Sequence, residues 1–366
     1  MTGLPNLVPT TDRTADVIAY PFDQPPAAGK AVEVAEGVLW LRMPLPMALD
    51  HVNVYALRDD DGWTVVDTGI GGKPAHAAWN AVLEGPLASH PVARVLVTHH
   101  HPDHIGAAGW FQSQGAQLLT TRTAWLFARM LTLDVQTRPT PESVTFWQRA
   151  GMPPAMVEQR MAERPFNFAD VVDPLPLGFS RIAEGDVLRL AGRRWQVRMG
   201  NGHAPEQATL WSLDDNLILG ADQLLPGISP NIGVYATEPM ADPLGCWMTS
   251  CTAFQAFARD DHLVLPGHKL PFTGLPFRLE QMIANHDVAL ARLMDRLQES
   301  PATACDCFPV LYRRDIGPGE FGLALAEAVA HLNHLLIRGS LTRSLRPDGA
   351  WAWQPASARS TGSVSV

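Results

Sequence analysis

Apolar and polar residues change period several times along the 366-residue chain, and each change marks an expected element. From Ala31 to Pro44 and from Val52 to Asp67 the pattern is that of strands with one buried face, which predicts three β-strands with a turn at Asp59-Asp60-Asp61-Gly62. Lys73 to Glu84 has helical spacing, and Ala93-Arg94-Val95-Leu96-Val97 is an aliphatic run of strand length. A second strand-rich set follows at Val187 to Met199, Ala208 to Leu213, Leu217 to Leu219 and Leu263 to Leu265. Between the two sets lies a long insertion at about 121–178, helical at Ala124 to Leu133 and Ser143 to Ala150 and rich in Met, Trp, Phe and Pro. From Pro276 helical spacing dominates, at Arg278 to Ser300 and at Phe321 to Ile337, which ends near Gly339; Ser340 to Trp353 reads as a hairpin around Pro347-Asp348-Gly349.

The aliphatic run ends in Thr98-His99-His100-His101-Pro102-Asp103-His104-Ile105-Gly106, four imidazoles and a carboxylate packed into a turn between a strand and a helix start. Side chains leaving a tight turn converge on one point, as a metal ion requires. Three later segments offer further donors at loop positions: Gly200-Asn201-Gly202-His203, Gly220-Ala221-Asp222 and Pro266-Gly267-His268. Asp67 closes an earlier strand, Trp63-Thr64-Val65-Val66-Asp67-Thr68-Gly69.

These five segments, in this order, resemble the five motifs of the metallo-β-lactamase fold superfamily, with His99, His101, Asp103 and His104 at the places of its HxHxDH signature. The resemblance covers roughly residues 32–275 and is nearest the dinuclear branch that includes glyoxalase II. It implies an α+β fold, a four-layer αββα sandwich with the site at one edge. It also implies two divalent metal ions: His99, His101 and His203 hold one, Asp103, His104 and His268 the other, and Asp222 bridges them. Imidazole and carboxylate without thiolate suit zinc first, with iron or manganese as alternatives. The expected reaction is hydrolysis by a hydroxide shared between the metals, with Asp103 as the catalytic carboxylate and Asp67 orienting a ligating imidazole from behind. His100 is left out of the ligand set, and His76, His90, His262 and His286 are taken as surface or helix residues.

Competing motifs fail. Gly69-Ile70-Gly71-Gly72-Lys73-Pro74 has Pro where a dinucleotide fingerprint wants Gly, and its Lys lacks the following Ser or Thr of a phosphate loop; no Gly-x-Ser-x-Gly elbow occurs. The last two helices and the hairpin resemble the winged-helix-like tail of some relatives, one group of which are ribonucleases. Yet residues 280–350 carry seven basic against nine acidic side chains, and Phe321–Ile337 has no Lys or Arg, so phosphate contact, and with it a nucleic-acid partner, is not expected. The tail is read instead as a packing or homodimerisation module, with His331 and His334 as ordinary helix residues.

The expected organisation is a flexible leader at 1–30, a catalytic domain at 31–275 with the insertion as a lid, a C-terminal helical subdomain at 276–355 and a disordered tail at 356–366. A hydrophobic fraction of 46% fits a globular chain, and a net charge of −9 disfavours polyanions. With four cysteines at spacings that suggest no disulfide framework, no apolar signal segment and no 18-residue apolar run, the cytoplasm is the expected location, with no membrane association. The substrate expected is a small acyl thioester or carboxylic ester, with phosphodiesterase or ribonuclease, and lactonase, as alternatives. His51, Trp147, Phe166 and Leu225 are the candidate pocket residues.

Overall fold

A computed structural model describes residues 17–47 and 49–356. Residues 1–16 of the expected leader, Ala48, and all but the first residue of the expected tail lie outside the described residues.

The α+β, four-layer expectation holds. Seven strands lie in sequence order in the first sheet: β1 (Val32–Ala35), β2 (Val38–Pro44), β3 (His51–Asp59), β4 (Gly62–Val66), β5 (Val92–Val97), β6 (Gln117–Thr120) and β7 (Ser180–Arg181). The first four form an antiparallel meander and β4 to β7 pair in parallel. Five strands make the second sheet: β8 (Val187–Leu190), β9 (Arg193–Gly200), β10 (Gln207–Ser212), β11 (Leu217–Ala221) and β12 (Leu263–Pro266), ordered β12-β11-β10-β9-β8. Four β-strands, not three, occupy 31–67, because Gly37 takes a positive φ of 71° and turns the chain between β1 and β2. A turn at Ala191-Gly192 likewise splits the single strand expected over 187–199 into β8 and β9.

Period-two alternation assigns each strand its faces. Val38 and Trp40 of β2, Tyr55 and Leu57 of β3, and Val66 of β4 pack between the sheets against Trp195, Val197, Leu210, Leu219 and Leu265. Their neighbours Leu41, Met43, Val54 and Val65 face outward onto the first helical layer. That layer holds α1 (Lys73–Glu84), the single turn α2 (Pro102–Ile105) and α3 (Ala108–Ser113). Trp79 of α1 meets Phe111 of α3 edge to face, 4.8 Å between centroids.

The insertion contains α4 (Arg122–Leu133), α5 (Pro141–Arg149) and α6 (Pro154–Ala162). Ala128, Val172 and Leu175 anchor it to the first core, and Ala150, Met152 and Val157 join a separate core under the C-terminal helices. That core gathers α7 (Pro243–Gln255), α8 (Leu275–Glu299), α9 (Phe308–Tyr312) and α10 (Phe321–Ile337), with the hairpin β13 (Leu341–Leu345) and β14 (Trp351–Pro355). Within the expected leader, Ile18 is buried and Ala19 bridges Thr273 just before α8, so this stretch is docked. Among the described residues no helix is long and apolar enough to cross a membrane.

Candidate metal centre

The strands deliver the site. β4, β5, β11 and β12 end at one edge of the sandwich, and Asp67, Thr98, Asp222 and His268 stand at or just past those ends. Two of the junctions are strained: Asp67 has φ 62° and Ala221 φ 45°, left-handed values that cost a residue with a Cβ about 1 kcal/mol or more. At Gly267 a Cβ would fall 2.3 Å from Asp222 Oδ1, so only glycine lets the β12 end approach the Asp222 carboxylate.

All seven residues proposed from the motifs come together in one buried cluster. His99 Nε2 lies 3.0 Å from His101 Nδ1, which lies 2.9 Å from His203 Nε2. His268 Nε2 is 3.2 Å from Asp103 Oδ2, and His104 Nε2 is 3.6 Å from the same oxygen. Asp222 touches both halves, with Oδ2 at 3.4 Å from His203 Nε2 and 3.5 Å from His268 Nε2, and Oδ1 at 3.4 Å from His104 Nε2.

Which ring nitrogen carries the proton follows from the partners behind each imidazole. His203 Nδ1 meets the Asn231 carbonyl at 2.8 Å and His268 Nδ1 that of His51 at 3.1 Å; a carbonyl only accepts, so both nitrogens donate. His104 Nδ1 donates to Asp67 Oδ2 at 2.8 Å. Thr98 Oγ1 donates to the same Asp67 oxygen at 2.8 Å, and therefore accepts from His99 Nδ1 at 3.0 Å. In the neutral rings these contacts turn the Nε2 lone pairs of His99, His104, His203 and His268 onto one volume. Asp103 Oδ2, Asp222 Oδ1, His104 Nε2 and His268 Nε2 are buried there without a hydrogen-bond partner. Converging lone pairs and carboxylate oxygens with no donor among them repel unless a cation lies between them. The donor set thus fits divalent metal ions.

Electrostatics agree. Burial, and then the neighbouring imidazoles, holds His99 and His101 well below the ordinary histidine range. Burial also opposes charge on His104 and His268, but Asp222 and Asp103 outweigh it: His104 is held well above its usual value and His268 is raised to about 9. Both carboxylates stay low despite burial, because those two imidazoles face them. The carboxylates thus draw positive charge into a dry volume, as protons or as metal.

The candidate pocket residues are placed more variously. The His51 side chain bonds Asp50, with its Nε2 buried and unpartnered, while its carbonyl serves His268. Leu225 is buried in the loop beyond Asp222. Trp147 packs in the C-terminal core with the Arg160 guanidinium 5.5 Å over its ring, and Phe166 is 65% exposed. From the insertion it is Phe127 and Phe168 that meet the metal turn, both through His100, at 5.2 and 6.3 Å between centroids. This aromatic seat accounts for His100 standing outside the donor groups although its ring lies 4.7 Å from that of His101. His262 and His286, taken as surface or helix residues, are buried; His286 does lie on a helix.

Several supporting residues carry no motif. The Gln207 side-chain oxygen, in the amide orientation that satisfies its neighbours, accepts the backbone N–H groups of Asp222 at 2.9 Å and Gln223 at 2.6 Å. Arg278, fully buried on α8, donates to the Leu225 carbonyl at 2.6 Å and the Ile228 carbonyl at 2.8 Å, fixing the loop that runs from Asp222 to Asn231. Burial lowers its pKa to about 10, which leaves it charged at neutral pH. Arg278→Met should strand the buried Leu225 carbonyl and the part-buried Ile228 carbonyl. Unfolding in urea should then show a loss of about 1–3 kcal/mol, and wild-type stability would show that the guanidinium does not hold this loop.

A family model described as the metallo-beta-lactamase superfamily matches residues 47–268, and one described as the metallo-beta-lactamase-like C-terminal domain matches residues 290–356. A solved beta-lactamase domain protein from Burkholderia ambifaria superposes with a TM-score of 0.87 at 35% identity, covering 94% of this chain and all of the other. A probable metallo-hydrolase of Bacillus subtilis, YqjP, is 25% identical over 84% of this chain and 94% of its own length. A linear primary-alkylsulfatase from a Pseudomonas species is 24% identical over 64% of this chain and 44% of its own.

Proposed function

Since the chain belongs to the metallo-β-lactamase superfamily and is a metal-dependent hydrolase, we propose that it uses two zinc ions to cleave an acyl thioester or carboxylic ester with an apolar acyl group. The observation that carries the acyl part is an apolar stripe on α4, Leu126, Met130 and Leu133, each 45% exposed or more and spaced at i, i+4 and i+7. The next residue along from Leu126 is Phe127, whose ring packs on His100 in the metal turn, so the stripe belongs to the helix that borders the site.

Bound divalent cations would supply Lewis acidity and bring the pKa of water from 15.7 down towards about 7. The chain's own groups supply orientation. Asp103 Oδ2, buried and unpartnered apart from the imidazoles beside it, would accept a hydrogen bond from the attacking water and aim its lone pair. Asp67 and Thr98 keep the ring protons of His104 and His99 on the outer nitrogens. A thiolate leaving group needs little protonation, which suits a site without an evident general acid. Against a nucleic-acid substrate stands α10, buried along most of its length and thus without a free face for a groove.

The test is a panel assayed with metal-replete protein and Asp103→Ala alongside: acyl-CoA thioesters, an aryl ester, an acyl lactone, a bis-aryl phosphodiester, a primary alkyl sulfate and a cephalosporin. Turnover of thioester or ester that the variant loses is the expected result. Turnover confined to the alkyl sulfate would keep the apolar chain and replace the carbonyl with the ester chemistry named for the Pseudomonas relative. Turnover confined to the phosphodiester would overturn the acyl reading altogether.

A further inference from the structure

Glu327 lies at the middle of α10 and is 2% exposed. It makes no ion pair among the described residues, and its side chain accepts one hydrogen bond, from Asn231 Nδ2 at 3.0 Å. A leucine would occupy such a position more cheaply: a carboxyl without a cation beside it loses its hydration and regains little. Burial accordingly pushes its pKa up to about 8.

Asn231 explains the placement. Its backbone carbonyl accepts the hydrogen bond from His203 Nδ1, and its side chain is held on every side. Nδ2 donates both to Glu327 and to the Leu323 carbonyl at 3.2 Å, one turn earlier on α10, while Oδ1 accepts from Tyr235 Oη at 3.3 Å. Val234 N–H, three residues on, donates to the Ala326 carbonyl at 3.0 Å. The loop that presents a carbonyl to His203 is thus sewn to α10, and Glu327 is the only acidic side chain in that seam.

Resting on the metal reading above, we propose that Glu327 is a positioning residue for the metal centre: by fixing Asn231 it sets the direction of the carbonyl behind His203, and so the aim of the His203 lone pair. The C-terminal subdomain is then part of the site's machinery, 124 residues along the chain from the imidazole it serves. Partners behind ligating imidazoles are worth about 10–100-fold in metal affinity or activity.

The experiment titrates apo full-length protein with Co2+, following the visible ligand-field bands, and measures affinity by competition with a chromophoric chelator. Glu327→Leu should weaken binding of one of the two metals by about 10–100-fold and shift the Co2+ spectrum. Glu327→Gln, which keeps an acceptor oxygen for Asn231, should restore both. Asn231→Ala breaks the same link from the loop without touching the helix core, so it tests the idea even if Glu327→Leu does not fold; it should reproduce the loss, and adding Glu327→Leu to it should weaken binding no further. A wild-type spectrum and affinity in Asn231→Ala would overturn the proposal, as would a Gln variant as weak as the Leu one. If the wild-type chain itself binds no Co2+ at this cluster, the metal reading falls first; if it binds two and the variants match it, only the role of Glu327 falls.

Discussion

Asp222→Ala is expected to leave at most one equivalent of metal on each chain and no measurable turnover. Asp222 sets carboxylate oxygens against imidazole nitrogens of both halves, Oδ2 lying between His203 and His268 and Oδ1 against His104. With it gone, Asp103 is the one carboxylate left among the seven donors to balance the two proposed cations, in a volume where both carboxylates are almost fully buried. Charge that water cannot screen is costly to leave unbalanced. The half built from His99, His101 and His203 keeps three imidazoles and should hold one ion weakly; the other half keeps Asp103, His104 and His268 without its shared oxygen. Asp222→Asn preserves an oxygen but not the charge, so it should fall between wild type and Ala. Elemental analysis after exhaustive dialysis reads the stoichiometry, and two retained metals with a normal rate would sink the bridging assignment.

Much of this site is legible in the sequence because strand ends position it. A donor just past an aliphatic run, as at His99, Asp222 and His268, projects from the edge of a sheet whatever the details of the loop. The long helices are legible too: Lys73–Glu84 and Phe321–Ile337 have the bounds their periodicity predicts. What stays hidden has no period. Arg278 finds the Leu225 carbonyl 53 residues away and Glu327 finds Asn231 across 96, and neither pairing leaves a trace in local spacing. α6 is concealed by Met152-Pro153-Pro154, which reads as a breaker although proline fits the first turn of a helix, where its missing N–H is no loss. Aromatic content singles out Trp147 and Phe166, but which ring reaches the His99–His104 turn depends on the docking of the insertion, and Phe127 and Phe168 make that contact.

The second large effect is expected at Asp67, which is not in the donor cluster. Its carboxylate accepts three hydrogen bonds: Thr98 N–H on Oδ1, and Thr98 Oγ1–H and His104 Nδ1–H on Oδ2, each at 2.8 Å. Asparagine is nearly the same shape and tolerates the left-handed φ of 62° better than most residues, so Asp67→Asn should melt close to wild type. It should nevertheless bind metal poorly, because its amide has one oxygen where the carboxylate has two. With that oxygen satisfying the Thr98 amide, the NH2 group faces His104 Nδ1, and two donors cannot meet. His104 escapes by moving its proton to Nε2, which removes the lone pair it would give to a metal. The isosteric change thus deletes a ligand without touching it, and a loss of metal affinity at the upper end of about 10–100-fold is expected. Asp67→Ala lacks this clash but adds backbone strain of about 1 kcal/mol, so it should melt lower than the Asn variant while binding metal no worse. Thermal melts of the apo proteins beside chelator competition separate the two quantities; an Asn variant that binds metal as tightly as wild type would show that His104 does not depend on Asp67 for its tautomer.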